Sequence, residues 1–338
     1  MIGDGHPCFI IAEAGSNHNR SLATAKKLVD AAAASGADAV KFQLFRADKL
    51  YVKDAGSASY LKTKKPIYNI MKEAEMPYEW ISALHNYCKK KNIIFLASVF
   101  DEESLDTVKK FVPALKIGSY ELTHLPLLEH AAKTGRPIIL STAMGSDAEI
   151  EEAVTTIKNA GNKKIALMHC IASYPAPVEV TNLNAIKKLK ERFNVPVGLS
   201  DHSKDPIIIP VAAVSAGAKL IEKHFTLDRK MKGPDHKFAT EPDELKAMVV
   251  AVRTAESAFM RSKEKLKAVE KELCGFARRG IFSTKNIKKG EIFTKNNISV
   301  LRSGVKKIST EPREFHKIIG NRAKRNINAG DAIQKGDY

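Results

Sequence analysis

Two histidines stand in matching settings in the second half of the chain. His202 follows the apolar run VPVGLSD and His224 follows KLIEK, with an Ala-rich, helix-compatible segment between them. That pattern reads as strand, helix, strand. A right-handed crossover sets neighbouring parallel strands side by side with the same end up. Both imidazoles then share one face of a sheet, beside Ser200, Asp201 and Glu222, a donor set that suits a divalent ion. A single histidine is more often structural; the metal reading rests on two of them at equivalent positions. Two lysines, Lys41 and Lys116, lie inside apolar runs, where an unpaired ammonium is costly. With Ser98, Ser119 and Ser200 they suit a phosphate and a carboxylate. Two other readings stay open: buried ion pairs with Glu13 and Glu121, or a Schiff-base lysine of the aldolase kind. Glu13 reads as a general acid/base or a water-holding carboxylate, with a structural salt bridge as the alternative. Asp235, in Gly233-Pro234-Asp235, reads as a partner for substrate hydroxyls or as part of a tight bend.

These residues need elements to hold them. Strand-like runs at Cys8–Ala12, Ala39–Gln43, Ile93–Ala97, Ala114–Ile117, Pro137–Leu140, Lys164–His169, Pro196–Leu199 and Lys219–Glu222 alternate with helices that begin near Ser21, Tyr78, Glu102, Leu125, Asp147, Leu183, Pro206 and Glu241. Eight β/α alternations in this order predict a (β/α)8 TIM barrel, in which functional side chains project from the C-terminal strand ends. The rival is an open doubly wound sheet, but Glu13-Ala14-Gly15-Ser16-Asn17-His18-Asn19 does not match its glycine fingerprint. Strand ends then supply Glu13, Lys41 with Gln43, Ser98, Lys116 with Ser119 and Glu121, Ser141, His169 with nearby Tyr174, Ser200 to His202, and Glu222 to His224. An insertion from Arg46 to Met76 forms a long loop on the catalytic face. It reads as a lid or substrate wall, or as a surface for a partner subunit.

The expected domains are a catalytic barrel over 1–260, a linker over 261–274 and a small unit over 275–338. Within the last, NIKKGEIFTKNNI and NINAGDAIQKGDY echo each other, each with a Gly turn followed by an acidic and an apolar residue, so a pseudo-symmetric, loop-rich β domain is expected. Its size is near the lower limit for independent folding, so it is expected to dock. Net charge is +17, from 55 Lys+Arg against 38 Asp+Glu. The basic residues are scattered, rich in Lys and poor in interleaved aromatics, which argues against nucleic acid and for steering of an anionic metabolite. No apolar run is long enough to span a membrane and no secretory leader pattern opens the chain, so no membrane partner and a cytoplasmic location are expected. The four cysteines, without CxxC spacing, fit reduced thiols.

The motifs IAEAGSNHN, DAVKFQ, LKIGSYEL, PIILSTAM, HCIASYPAP, GLSDHS, EKHFTLDRKMKGPDHKFATEPDE and ARRGIF…NIKKGE…LRSG resemble the sialic acid synthases, over nearly the whole chain. The resemblance implies a (β/α)8 barrel followed by an antifreeze-like (SAF) domain, in a domain-swapped homodimer whose small domain caps the partner's barrel. It implies divalent-metal-dependent condensation (Mn2+ or Mg2+) of phosphoenolpyruvate with an N-acetylated hexosamine, N-acetylmannosamine or a 2,4-diacetamido-trideoxyhexose. The products are a nonulosonate and phosphate, with C–O cleavage. Alternatives are a pseudaminate or legionaminate synthase rather than an N-acetylneuraminate synthase, and a pyruvate-dependent aldolase. By motif, His202 and His224 are similar to the metal ligands, Glu13 to the carboxylate beside metal-bound water, and Lys41, Ser98, Lys116, Ser119 and Ser200 to the phosphoenolpyruvate grip. Glu121, Tyr174 and Asp235 fall where the amino sugar binds, and Arg302 resembles the arginine lent to the partner's site. Glu222 is grouped with Glu13, Lys41 and Lys116 as catalytic. Departures are Ser98 for a common Thr, Ala172 for an Asn that touches phosphoenolpyruvate, and LRSG for RPG. The insertion's KEAEMPYEWI is closer to pseudaminate synthases, whereas GPDHKFATEPDE is closer to neuraminate or legionaminate synthases.

Overall fold

Side-chain parity organises the first unit. Its strands are β1 (Phe9–Gly15), β2 (Ala39–Leu44), β3 (Ile94–Val99), β4 (Leu115–Ile117), β5 (Ile138–Ser141), β6 (Ile165–Cys170), β7 (Val197–Asp201) and β8 (Leu220–His224). They pair in sequence order, all parallel, and β8 returns to β1, closing an eight-stranded barrel. Successive side chains alternate between faces. One set, including Ile10, Val40, Phe95, Leu115, Leu140, Leu167, Val197 and Ile221, packs outward into a large apolar layer shared with the helices. The other set points inward: Ile11, Ala39, Leu96, Ala114, Ile139, Ala166, Met168 and Leu220 fill the lower barrel as a separate cluster. Gly198 belongs to this inner set, where a Cβ would come within 2.6 Å of the Leu220 Cβ.

The computed structural model describes residues 2–57, 64–259 and 263–338. Around the barrel run α1 (Leu22–Ala34), α2 (Ala47–Leu50), α3 (Ile67–Ala74), α4 (Trp80–Lys90), α5 (Glu102–Val108), α6 (Leu125–Lys133), α7 (Asp147–Asn159), α8 (Asn184–Phe193), α9 (Ile208–Ser215) and α10 (Pro242–Ala258). Several of their starts follow capping chemistry. Ser21 accepts from the Thr24 amide, Asp101 from Ser104, and Ser146 with Glu149 forms a capping box. Helices α2 and α3 occupy the Arg46–Met76 insertion. Among the described residues no helix is long and apolar enough to cross a membrane.

All the strands except β4 run one to three residues further than hydropathy indicates, and two of these extensions matter for the site. β1 continues through Glu13 to Gly15, and β8 includes His224, which was expected just past the strand end. Polar inward side chains interrupt the apolar run, yet the ladder persists: Glu13 is in register with both Lys41 and His224.

The chain divides into two compact units, Met1–Phe259 and Met260–Tyr338. The second has α11 (Lys263–Ala277), the antiparallel pair β9 (Arg279–Ser283) and β10 (Ile298–Arg302), and the short α12 (Phe315–Ile318). Its two echoing phrases face each other. Ile287 and Ile327 exchange both backbone hydrogen bonds at 2.8 Å. The Asn286 side chain accepts from the Ala329 amide and Asn326 accepts from the Lys289 amide, each at 2.8 Å. The internal repeat is therefore a local two-fold, closed over Ile281, Ile287, Phe293, Ile327 and Ile333.

Candidate active site

Above the barrel's apolar fill, the inward positions turn polar. Glu13, Lys41, Ser98, Lys116, Ser141, Ser200, Glu222 and His224 form the floor of a cavity of about 770 Å3. The register explains the gathering: Glu13 lies between Lys41 and His224, Ser98 beside Lys116, and Ser200 beside Glu222. Of the thirteen residues given a site role by the resemblance, twelve line this one cavity, with Ser119, Glu121, Tyr174, His202 and Asp235 on its walls. The thirteenth, Arg302, belongs to the second unit, where it is exposed at the end of β10.

Lys41 Nζ lies 2.6 Å from a Glu13 oxygen, 3.5 Å from Glu222 and 2.6 Å from Ser98 Oγ. Lys116 donates to Ser141 Oγ at 2.7 Å and lies 3.9 Å from Glu222. The expected Lys41–Glu13 pair is thus present. Lys116 pairs with Glu222 rather than Glu121, whose Oε2 is buried without a hydrogen-bond partner. Burial pushes the Glu13 carboxyl up to about 7 against the pull of Lys41. Burial also lowers the Lys116 ammonium, while Glu13 and Glu222 hold Lys41 above its ordinary value although burial opposes them. Glu121 is raised to about 7 and Asp235 to about 6, both by burial. Ser119 Oγ accepts from the Ala143 amide at 3.0 Å and touches Cys170 Sγ at 3.0 Å. Ala172 lines the cavity, and the neighbouring Ser173 hydroxyl is engaged by Pro175 O at 2.9 Å.

The two imidazoles meet edge to face, with ring centroids 5.6 Å apart. Tyr174 stacks on His202 at 4.3 Å, and Phe238 packs against His224 at 5.2 Å. His202 Nδ1 donates to Ile171 O at 2.7 Å, which leaves the Nε2 lone pair free of a proton in the neutral ring. His224 Nδ1 is buried with no hydrogen-bond partner, 3.7 Å from Asp235. Burial lowers both rings, so both are neutral near neutral pH. Two neutral imidazoles, one with an unpartnered buried nitrogen, beside Glu13 and Glu222, fit a divalent cation. Among the described residues no third side chain of a ligating type completes a ligand cluster with them.

Lys223 and Asp201, expected among the strand-end groups of the site, instead lie outside the cavity lining. Lys223 is on the opposite face of β8 from Glu222 and His224 and is almost wholly buried. Its Nζ binds Asp201 at 2.6 Å, Ser203 O at 2.6 Å and Asp205 O at 2.8 Å. It thereby ties the strand bearing His224 to the turn bearing His202. Period-two parity on β8 is the signal that distinguishes it from the inward lysines. The same parity turns His169 outward, where it meets Thr181 O at 2.7 Å. His236, which sequence reading missed, braces the Asp235 loop through Thr226 Oγ1 at 2.6 Å and Asn19 at 3.2 Å.

Residues 28–264 match the NeuB family and residues 278–338 match the SAF domain. The chain is 47% identical to the spore coat polysaccharide biosynthesis protein SpsE of Bacillus subtilis (strain 168), over 98% of this chain and 94% of that one. The crystal structure of that protein superposes with a TM-score of 0.69, covering 99% of this chain and 96% of that one at 46% identity. Identity is 38% to the N,N'-diacetyllegionaminic acid synthase of Legionella pneumophila, over 98% and 94% of the two chains. It is 37% to a pseudaminic acid synthase of Campylobacter jejuni, over 98% and 96%.

Proposed function

The chain belongs to the NeuB family, and from that premise we propose that it condenses phosphoenolpyruvate with an N-acetylated hexosamine to give a sialic-acid-type nonulosonate and inorganic phosphate. One observation carries the reading. Two buried ammonium groups, Lys41 and Lys116, face one cavity floor with Ser98, Ser141 and Ser200, beside a pair of neutral imidazoles. A small donor with a carboxylate and a phosphate matches two cations ringed by hydroxyls. The names of the relatives favour a legionaminate- or pseudaminate-type product over N-acetylneuraminate.

His202 and His224 would hold a divalent cation, Mn2+ or Mg2+. What such an ion supplies when bound is Lewis-acid polarisation of the acceptor's carbonyl. The chain's own groups do the rest. Lys41 and Lys116 hold the donor's anionic groups and stabilise the charge that moves onto the leaving phosphate. The donor's C3 forms the new C–C bond to the sugar's carbonyl carbon, water adds at C2, and the C2–O bond to phosphate breaks. Glu13, with its carboxyl near 7, is matched to taking the proton of that water at neutral pH. Glu222 holds both lysines in place. Tyr174, Glu121 and Asp235 orient the sugar. Positions 275–338 act as a cap on the partner's barrel in a domain-swapped homodimer, with Arg302 reaching the acetamido group. Fifteen Lys and Arg against five Asp and Glu in that stretch would also draw an anionic donor to the mouth. Three buried free thiols, Cys8, Cys88 and Cys170, suit a reducing, cytoplasmic setting.

The test is phosphate release from phosphoenolpyruvate carrying heavy oxygen in the bridging position. Label in the released phosphate, dependent on an amino sugar, is expected. Label retained in the sugar acid, or equal turnover with free pyruvate, would sink the proposal.

A further inference from the structure

The insertion after β2 presents an unusual helix face. In α3, Ile67, Ile70, Met71 and Ala74 fall at i, i+3, i+4 and i+7, and all four line the catalytic cavity. The opposite face is pinned by polar bonds. Tyr68 and Lys72 both reach Asp48 of α2, and Glu75 accepts from the Ala47 amide at 2.8 Å. Arg46 donates to Met76 O at 2.9 Å, fixing the helix exit. Among the described residues none of the four apolar side chains belongs to either apolar cluster of the barrel. Ile67 is buried, and the other three are half-buried toward the cavity. The stripe is therefore held in place from behind and faces the space a ligand occupies, whereas the floor across from it is built from charges and hydroxyls.

An apolar wall over a wet cavity is unfavourable until something apolar covers it. None of the four side chains carries a hydrogen-bond donor or a charge. A hydroxymethyl group laid on them would lose its water without gaining a partner, and a phosphate would find no cation there. Methyl groups gain instead. Resting on the synthase reading above, we propose that α3 is the specificity wall for the acceptor. Ile70 and Met71 on it select a 2,4-diacetamido-2,4,6-trideoxyhexose, whose C6 methyl and acetamido methyl groups cover the stripe, over N-acetylmannosamine or its 6-phosphate. The reacting end of the sugar stays at the floor, and the end remote from it meets the wall.

The test uses the full chain with Mn2+, measuring phosphate release from phosphoenolpyruvate with each of the three sugars. The trideoxy sugar should show kcat/KM about 100-fold above N-acetylmannosamine, since one or two apolar contacts discriminate on that scale. Met71→Gln and Ile70→Thr should each shrink this preference about 10-fold through the sugar's KM. The KM for phosphoenolpyruvate and the thermal midpoint should be unmoved, which separates lost selectivity from lost folding. N-acetylmannosamine or its 6-phosphate used as well or better, or a preference unmoved in both variants, would overturn the wall while leaving the synthase reading intact. No phosphate released with any sugar would overturn the synthase reading, and the wall with it.

Discussion

The barrel and the C-terminal unit treat buried polar atoms in opposite ways. At the barrel mouth, Glu222 Oε2, Glu121 Oε2 and His224 Nδ1 are buried without hydrogen-bond partners, and Lys41, Lys116 and Glu13 are held in low-dielectric surroundings. In the C-terminal unit the buried polar side chains tie backbone turns: Ser303 bonds Gly275 O and Arg278 O, Asn297 accepts from Thr294, and Asp337 from Gln334. Thr310 Oγ1 is the exception there. An unpaired buried polar atom costs about 1–3 kcal/mol, so a cluster of them needs a compensating partner or a functional reason. The contrast sets a barrel mouth rich in unsatisfied polar atoms against a second unit whose buried polar groups are mostly spent on its own backbone.

Five experiments break or sharpen that contrast. The largest effect belongs to His224→Ala. Phosphate release should fall to background, as it should for the wild-type chain in chelator, with recovery on adding Mn2+ or Mg2+ to the wild type alone. Undiminished turnover in chelator would take the cation out of the account. Next, Lys41→Met should lower kcat about 100- to 1,000-fold, the scale for losing one group aimed at developing charge. A drop below tenfold would mean that Lys41 only neutralises Glu13. Third, Lys223→Met should weaken Mn2+ binding about 10- to 100-fold, as loss of an outer support does. Titration by calorimetry or electron paramagnetic resonance reads this without turnover, and Lys223→Arg is expected to recover part of it.

The fourth concerns pH. Glu121 is raised to about 7 by burial, so the folded state favours its protonated form. Its contribution is full below the ordinary carboxylate range and is lost as pH rises through 7. Glu121→Gln should therefore match wild-type stability near pH 4.5 and exceed it by on the order of 1–3 kcal/mol at pH 8. Denaturant midpoints at both pH values decide, and an equal gap at both would refute the burial argument. The smallest effect is in the other unit. Asn286→Ala and Asn326→Ala should each cost about 0.5–1.5 kcal/mol, nearly equally, with kcat unchanged. Unequal costs would show that the local two-fold is one of appearance only.

Much of the barrel is legible because parity and period are strict. Outward positions such as Val40, Leu140 and Leu167 alternate with inward ones, and the inward series changes from Ile11, Leu96 and Ile139 to Glu13, Ser98 and Ser141 two residues later. That change marks the floor. The NIKKGE and NINAGD echo likewise foretells the two-fold. What hydropathy obscures are the strand ends, because a polar inward residue ends an apolar run while the backbone ladder goes on. The supporting role of the outward Lys223 is hidden for a related reason: its partners Asp201 and Asp205 lie across a crossover connection. The role of α3 is hidden because an apolar helical stripe reads the same whether it packs on a core or on a ligand.

Ring closure joins the two ends of the first unit's sequence at one point. Glu13 on the first strand meets His224 on the last only because β8 pairs with β1. Lys41, Ser98 and Lys116 lie on β2 to β4, which pair with one another directly. The anion grip is thus a neighbourly arrangement, whereas the imidazole and carboxylate edge exists only in the completed ring.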